Sequence, residues 1–193
     1  MVKHTVKDYA TELRESFDYQ AYANLMYGLG KQCNGRKDRF DKSDFVEKSL
    51  EEFSDGRLKW VDEEGYDNVD TKYGHKLEVK YMQDSLYIKD KETLKYKTGV
   101  YKIKNNLGSS FATIQDPADY YLFFQKNAMA ILLGTQINSY TKPMKDGIGA
   151  QIPTYLLSFV FTPSDIEIKN TIPFSYKKQK DDMQRNIIRS YRV

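Results

Sequence analysis

The chain has 193 residues, of which 40% are hydrophobic, 14% aromatic and 30% charged, with a formal net charge of +3. That suffices for one substantial core, is short for two domains, and excludes a disordered chain. One cysteine, Cys33, excludes an internal disulfide framework, and neither the opening Met1–Asp8 nor the apolar runs 128–134 and 155–161 suit a signal peptide or a bilayer span. A cytoplasmic location is therefore expected.

Charge is unevenly placed. Asp44–Asp70 holds ten acids against three bases, Lys76–Lys104 eight lysines against four acids, and Lys169–Val193 seven bases against two acids. An acidic centre between basic flanks suits a cation-assisted enzyme acting on a polyanion, although solvated faces of differing sign give the same count.

In chain order, Tyr9, Leu13, Phe17, Ala21 and Leu25 recur every four residues, which predicts helix over the first thirty residues. Gly28, Gly30 and the polar stretch Cys33–Asp41 end it. A second helix is predicted over Asp44–Phe53, with Asp44 and Glu47 as a capping box, Gly56 closing it, and Phe45, Leu50 and Phe53 buried. The period then becomes two. Strands are predicted at Leu58–Val61, Asn68–Lys72 and Leu77–Met82, with a turn at Tyr73-Gly74. Ser85–Asn106, rich in lysine, reads as exposed strands or a projecting hairpin. Asp119–Gln125 and Ala128–Leu133 read as central strands, the second also compatible with helix; a short helix and a buried strand over Thr154–Phe161 follow. Met183, Ile187 and Tyr191 alternate with Arg185, Arg189 and Arg192 as on an amphipathic helix. The expectation is a single α/β domain over 1–193, with N-terminal helices (1–56), a central mixed sheet flanked by helices (57–161) and a basic C-terminal segment (162–193).

The chemistry lies in residues 64–80. Glu78 and Lys80 are two apart on a predicted strand and share a face, while Asp67, just before the preceding strand, returns to Glu78 across the Tyr73-Gly74 turn. Two carboxylates can hold a hard divalent cation, and a lysine beside them can orient water. Two histidines and one cysteine in the whole chain argue strongly against a tetrahedral zinc cage. Gly28-Leu29-Gly30-Lys31 lacks the full phosphate-loop pattern.

An aspartate followed by a strand with Glu-x-Lys resembles the PD-(D/E)xK nuclease superfamily. More narrowly, Glu64-Gly65-Tyr66-Asp67-Asn68-Val69-Asp70, then Gly74 and Glu78-Val79-Lys80, is similar to the active-site segment of a type II restriction endonuclease. The resemblance covers about seventeen of 193 residues. It implies a restriction-endonuclease-like fold and Mg2+-dependent hydrolysis of double-stranded DNA leaving 5′-phosphates. Catalysis would rest on Asp67, Glu78 and Lys80, with metal on Asp67 and Glu78 and Glu64 a candidate third carboxylate. A homing, phage or repair nuclease of the same fold stays open, as does a non-catalytic nucleic-acid-binding protein. Asp70 is expected to point away from the metal or to pair with a lysine. Glu47 and Glu51 are read as a solvated helix face with a possible turn toward the metal, and His75 as an exposed turn residue. DNA contacts are expected from Lys89, Lys95, Lys97, Lys102 and Lys104. A palindromic target would imply a homodimer, with the N-terminal apolar stripe as candidate interface.

Overall fold

Thr5 and Asp8 cap the first helix reciprocally: the Asp8 N–H donates to Thr5 Oγ1 (3.1 Å) and the Thr5 N–H to the Asp8 carboxylate (3.0 Å). Helix α1 (Val6–Ser16) stops at Phe17, which is extended (φ −112°, ψ 123°). Asp18 then accepts the Ala21 N–H (3.0 Å) and starts α2, helical over residues 19–24. One helix was expected here. Two form because Asp18 is a cap, and the four-residue rhythm bridges the break because Phe17 and Ala21 bury toward the same core. In this computed structural model the residues described are 5–24, 38–81, 101–104, 114, 116–125, 128–144, 147–150, 152 and 156–167. Leu25, Gly28, Gly30, Cys33, and the proposed helix at 183–192 lie outside them.

Helix α3 (Asp38–Phe53) begins before the expected Asp44. Asp44 lies inside it and not at its start; no glycine or proline between 38 and 44 halts the helix. Its end is as expected: Asp55 is left-handed (φ 52°) and the Gly56 N–H reaches the Glu51 carbonyl (2.7 Å).

Among the described residues nine strands follow: β1 (Leu58–Glu63), β2 (Tyr66–Asp70), β3 (His75–Tyr81), β4 (Tyr101–Lys104), β5 (Tyr120–Gln125), β6 (Ala128–Leu133), β7 (Thr141–Met144), β8 (Gly147–Ala150) and β9 (Ser158–Phe161). They form a six-stranded mixed sheet, β1-β2-β3-β5-β6-β9, and a three-stranded sheet, β4-β8-β7. Only β3 and β5 pair in parallel in the larger sheet; the other neighbours are antiparallel. Among the described residues no helix is long and apolar enough to cross a membrane.

The two faces of this sheet differ. Leu58, Leu77, Val79, Tyr120, Leu122, Phe124, Met129 and Ile131 join Tyr9, Leu13, Phe17, Tyr22, Val46, Leu50 and Phe53 of the helices in the main core. The N-terminal apolar stripe therefore packs this core, Tyr9 and Leu13 being buried, and is not an exposed dimer face. On the opposite face Tyr121, Phe123, Ala130 and Leu132 make a second core with Ala118, Ile137, Ile152 and Leu157. Here Gly134 is obligatory, because a Cβ would lie 1.6 Å from the Ala118 carbonyl oxygen. Helix side chains cap both sheet edges: Ser54 and Glu51 accept the N–H groups of Leu58 (2.8 Å) and Trp60 (3.2 Å), and Arg14 donates to the Val160 carbonyl (3.1 Å).

One buried polar knot ties the helices to the β2–β3 hairpin. Asp70 has no solvent exposure and accepts from the Tyr9 hydroxyl (2.8 Å), the Arg57 guanidinium (2.9 Å) and the Lys72 N–H (2.9 Å). Arg57 also donates to Ser16 (2.9 Å) and pairs with Glu12 (2.9 Å). Burial, then the neighbouring Asp70 carboxylate, push the Tyr9 hydroxyl far above the usual tyrosine range, so it stays a donor. Burial alone would raise the Glu12 carboxyl. Hydrogen bonds from Lys72 (2.8 Å) and Tyr73 (2.5 Å), with the charge of Arg57, overcome it and hold the group at about 2, below its ordinary 4.5. A depressed carboxyl contributes stability that is complete above its unfolded value and lost as pH falls toward its folded one.

Urea unfolding therefore should lose stability between pH 4.5 and about 2, and Glu12→Gln should flatten that fall. At neutral pH Asp70→Ala should cost about 3 kcal/mol, the low end for breaking a buried pair because Arg57 keeps Glu12. An Asp70→Ala midpoint equal to wild type would show that the knot does not hold the fold.

Candidate active site

Strand β3 alternates as its sequence dictates. Leu77 and Val79 are buried in the main core, so Lys76, Glu78 and Lys80 belong to the opposite face. β2 pairs with it antiparallel, Asn68↔Leu77, Val69↔Lys76 and Asp70↔His75. One further step in this register sets Asp67 opposite Glu78. The turn between the strands, at 71–74, needs Gly74 at φ 73°, where a side chain would be strained. The strand begins earlier than expected, at Tyr66, so Asp67 is its second residue and not a residue before it.

Asp67 is anchored across the hairpin, its Oδ2 accepting the Val79 N–H at 2.7 Å. Glu78 is 9% exposed, and its Oε1 accepts from the Lys80 ammonium. Beside Glu78 on β5 stands Tyr121. Burial, then the Glu78 charge, push its hydroxyl well above the usual tyrosine range, so it remains protonated. Two carboxylates and one ammonium thus share one end of the β2–β3 hairpin, Glu78 buried and Asp67 and Lys80 partly exposed. A hard cation that keeps several waters needs no more than one or two protein carboxylates, so this donor set is compatible with magnesium. Among the described residues no group of three His, Cys, Asp or Glu side chains is gathered for a metal.

The other candidates fall elsewhere. Glu64 is exposed in the turn between β1 and β2. Asp70 faces away from Asp67, as expected, but its cation is Arg57 and not a lysine. Glu51 accepts the Trp60 N–H, and Glu47 is buried with its carbonyl bonded to Asn68, so neither is a solvated helix-face residue. His75 is not an exposed turn histidine: it is half-buried against Tyr9, Tyr73 and Tyr120, with ring centroids 5.6, 5.5 and 5.1 Å away. Lys89, Lys95 and Lys97 lie outside the described residues. Lys102 and Lys104 are on β4, opposite Gly149 and Ile148 of β8.

Three residues of this face were missed from sequence. Lys76 follows from the same period of two that identified Glu78 and Lys80. Tyr121 and Lys59 carry no such signal, because their nearness depends on which strands pair. Comparison of the chain with protein-family models, curated proteins and solved structures finds no significant match.

Proposed function

We propose that the chain is a magnesium-dependent endonuclease of restriction-endonuclease-like fold, hydrolysing phosphodiester bonds of double-stranded DNA. One observation carries this reading: Asp67 and Glu78 occupy opposed positions of an antiparallel hairpin, with Lys80 hydrogen-bonded to Glu78 on the same face. Lys80 offsets part of the charge that the two opposed acids gather, and a divalent cation between them would offset the rest.

Asp67 and Glu78 would hold the metal, whose chemistry when bound is to polarise a phosphate oxygen and acidify water. The chain's own residues do the positioning. The Val79 N–H fixes the Asp67 carboxylate on the hairpin, so it enters binding already oriented. Lys80, 18% exposed, keeps its ammonium beside Glu78, where it can orient an attacking water and offset charge developing on phosphorus. Protonated Tyr121 adds a neutral wall beside Glu78, limiting water on the β5 side.

The test is plasmid cleavage with parallel gel-shift measurements. Glu78→Ala should abolish cutting in magnesium while leaving folded, DNA-binding protein, and Lys80→Ala should slow cutting by at least ~100-fold without weakening metal affinity. Calcium should support binding with little cutting. Wild type and Glu78→Ala cutting equally fast would remove this active site; binding without cutting by every variant, wild type included, would favour a binding module.

A restriction role further requires two copies of the site on a palindrome. Light scattering should then give a dimer, free or on DNA. A monomer in both states would rule out that role and leave a nicking or homing enzyme.

A further inference from the structure

The face that carries Asp67 and Glu78 is only half covered. Over β5 and β6 it lies beneath Ala118, Ile137, Ile152 and Leu157. Over β1, β2 and β3, among the described residues, one row is open: Lys59 and Lys76 are exposed and Val69 partly exposed, while Glu78 two residues further along β3 is buried. The pairings Lys59↔Val69 and Val69↔Lys76 set these three in one row across the strands. The two lysines are two strand spacings apart, about 9.6 Å, and Lys76 precedes Glu78 by about 6.7 Å along β3. One strand of a duplex carries a phosphate charge for every ~3.4 Å of helix axis, so a row of this length meets more than one of them.

The row itself carries two cations. The Lys76 ammonium stands 5.1 Å from the centre of the Tyr66 ring, and that ring packs against the second core, so the cation is held on the open face. Asp119 engages the Lys76 backbone N–H (2.8 Å). The exposed acids Glu63 and Glu64 lie at the tip of the β1–β2 hairpin, four or more residues along the strand from Lys59. A row of cations running beside a carboxylate pair can hold a polyanion along its length with one linkage next to the acids.

We propose that this open half-face seats the phosphate backbone of duplex DNA, Lys59 and Lys76 each neutralising one phosphate next to the linkage at Asp67 and Glu78. The fate of that linkage rests on the nuclease reading; the binding does not. The surface differs from the Lys89–Lys104 segment expected from sequence.

The experiment is fluorescence anisotropy on a labelled duplex in calcium, between about 50 and 200 mM salt, with magnesium cleavage assayed in parallel. Each phosphate contact contributes ~0.9 to the slope of log affinity against log salt, so Lys59→Gln/Lys76→Gln should flatten it by about 1.8. Lys59→Arg/Lys76→Arg should keep the wild-type slope, separating lost charge from lost fold. Lys7→Gln, an exposed change on α1 across the sheet, should also keep it. An unchanged slope in the double glutamine variant overturns the proposal, as does wild type failing to bind duplex. Wild type that cuts while the slope is unchanged sinks this face and leaves the nuclease standing. A flattened slope in a protein that never cuts does the reverse.

Discussion

Everything proposed for the site depends on the register of the β2–β3 hairpin. A slip of one residue would send Glu78 and Lys80 into the main core and bring Leu77 and Val79 into water. Asp70 prevents that slip. It is wholly buried on the helix side, where Arg57, Tyr9 and the Lys72 N–H converge on it. Being three residues before Asp70, Asp67 is sent by strand alternation to the other face. The same pairing carries Asp67 opposite Glu78. An ion pair in the core thus sets the position of acids that never touch it.

The magnitudes explain why these roles are kept apart. Removing one partner of a buried pair costs about 3–5 kcal/mol, a large share of the ~5–15 kcal/mol that a domain of this kind has in total. Exposed pairs are worth about 1 kcal/mol or less. Stability is therefore concentrated on the helix face, in the Asp70–Arg57 knot and the aromatic packing of Tyr9, Phe17, Tyr22, Phe124 and Phe161. The opposite face over β1 to β3 contributes little to folding and can carry Lys59, Lys76 and Lys80 beside two acids. Tyr121 of the second core stands against Glu78, so the site lies between covered sheet and the exposed Lys59–Lys76 row.

Local rules made much of this legible. Alternation sufficed for Glu78 and Lys80, turn chemistry at Tyr73-Gly74 for the hairpin, and apolar runs for β5 and β6. Three things escaped for physical reasons. The helix before Asp44 has a neutral propensity, with no glycine or proline to mark where it starts. The break at Phe17 is hidden because both flanking helices bury the same side. The β7–β8 hairpin has only four residues in each strand, with proline and glycine among them, and its pairing with β4 is non-local. Neither Arg57 of the buried knot nor Lys59 beside the site could be read from spacing, since their partners lie 13 and 10 residues away along the chain.

The central claim is that Asp67 and Glu78 act together as a cation site because the hairpin opposes them. Manganese, a magnesium substitute whose free and bound forms differ in their EPR signal, tests this without DNA or turnover. Titration should show binding to wild type that is lost in Asp67→Asn and equally in Glu78→Gln, and that survives in Asp70→Asn protein that stays folded. Manganese binding that is unchanged in both of the first two variants would contradict the account.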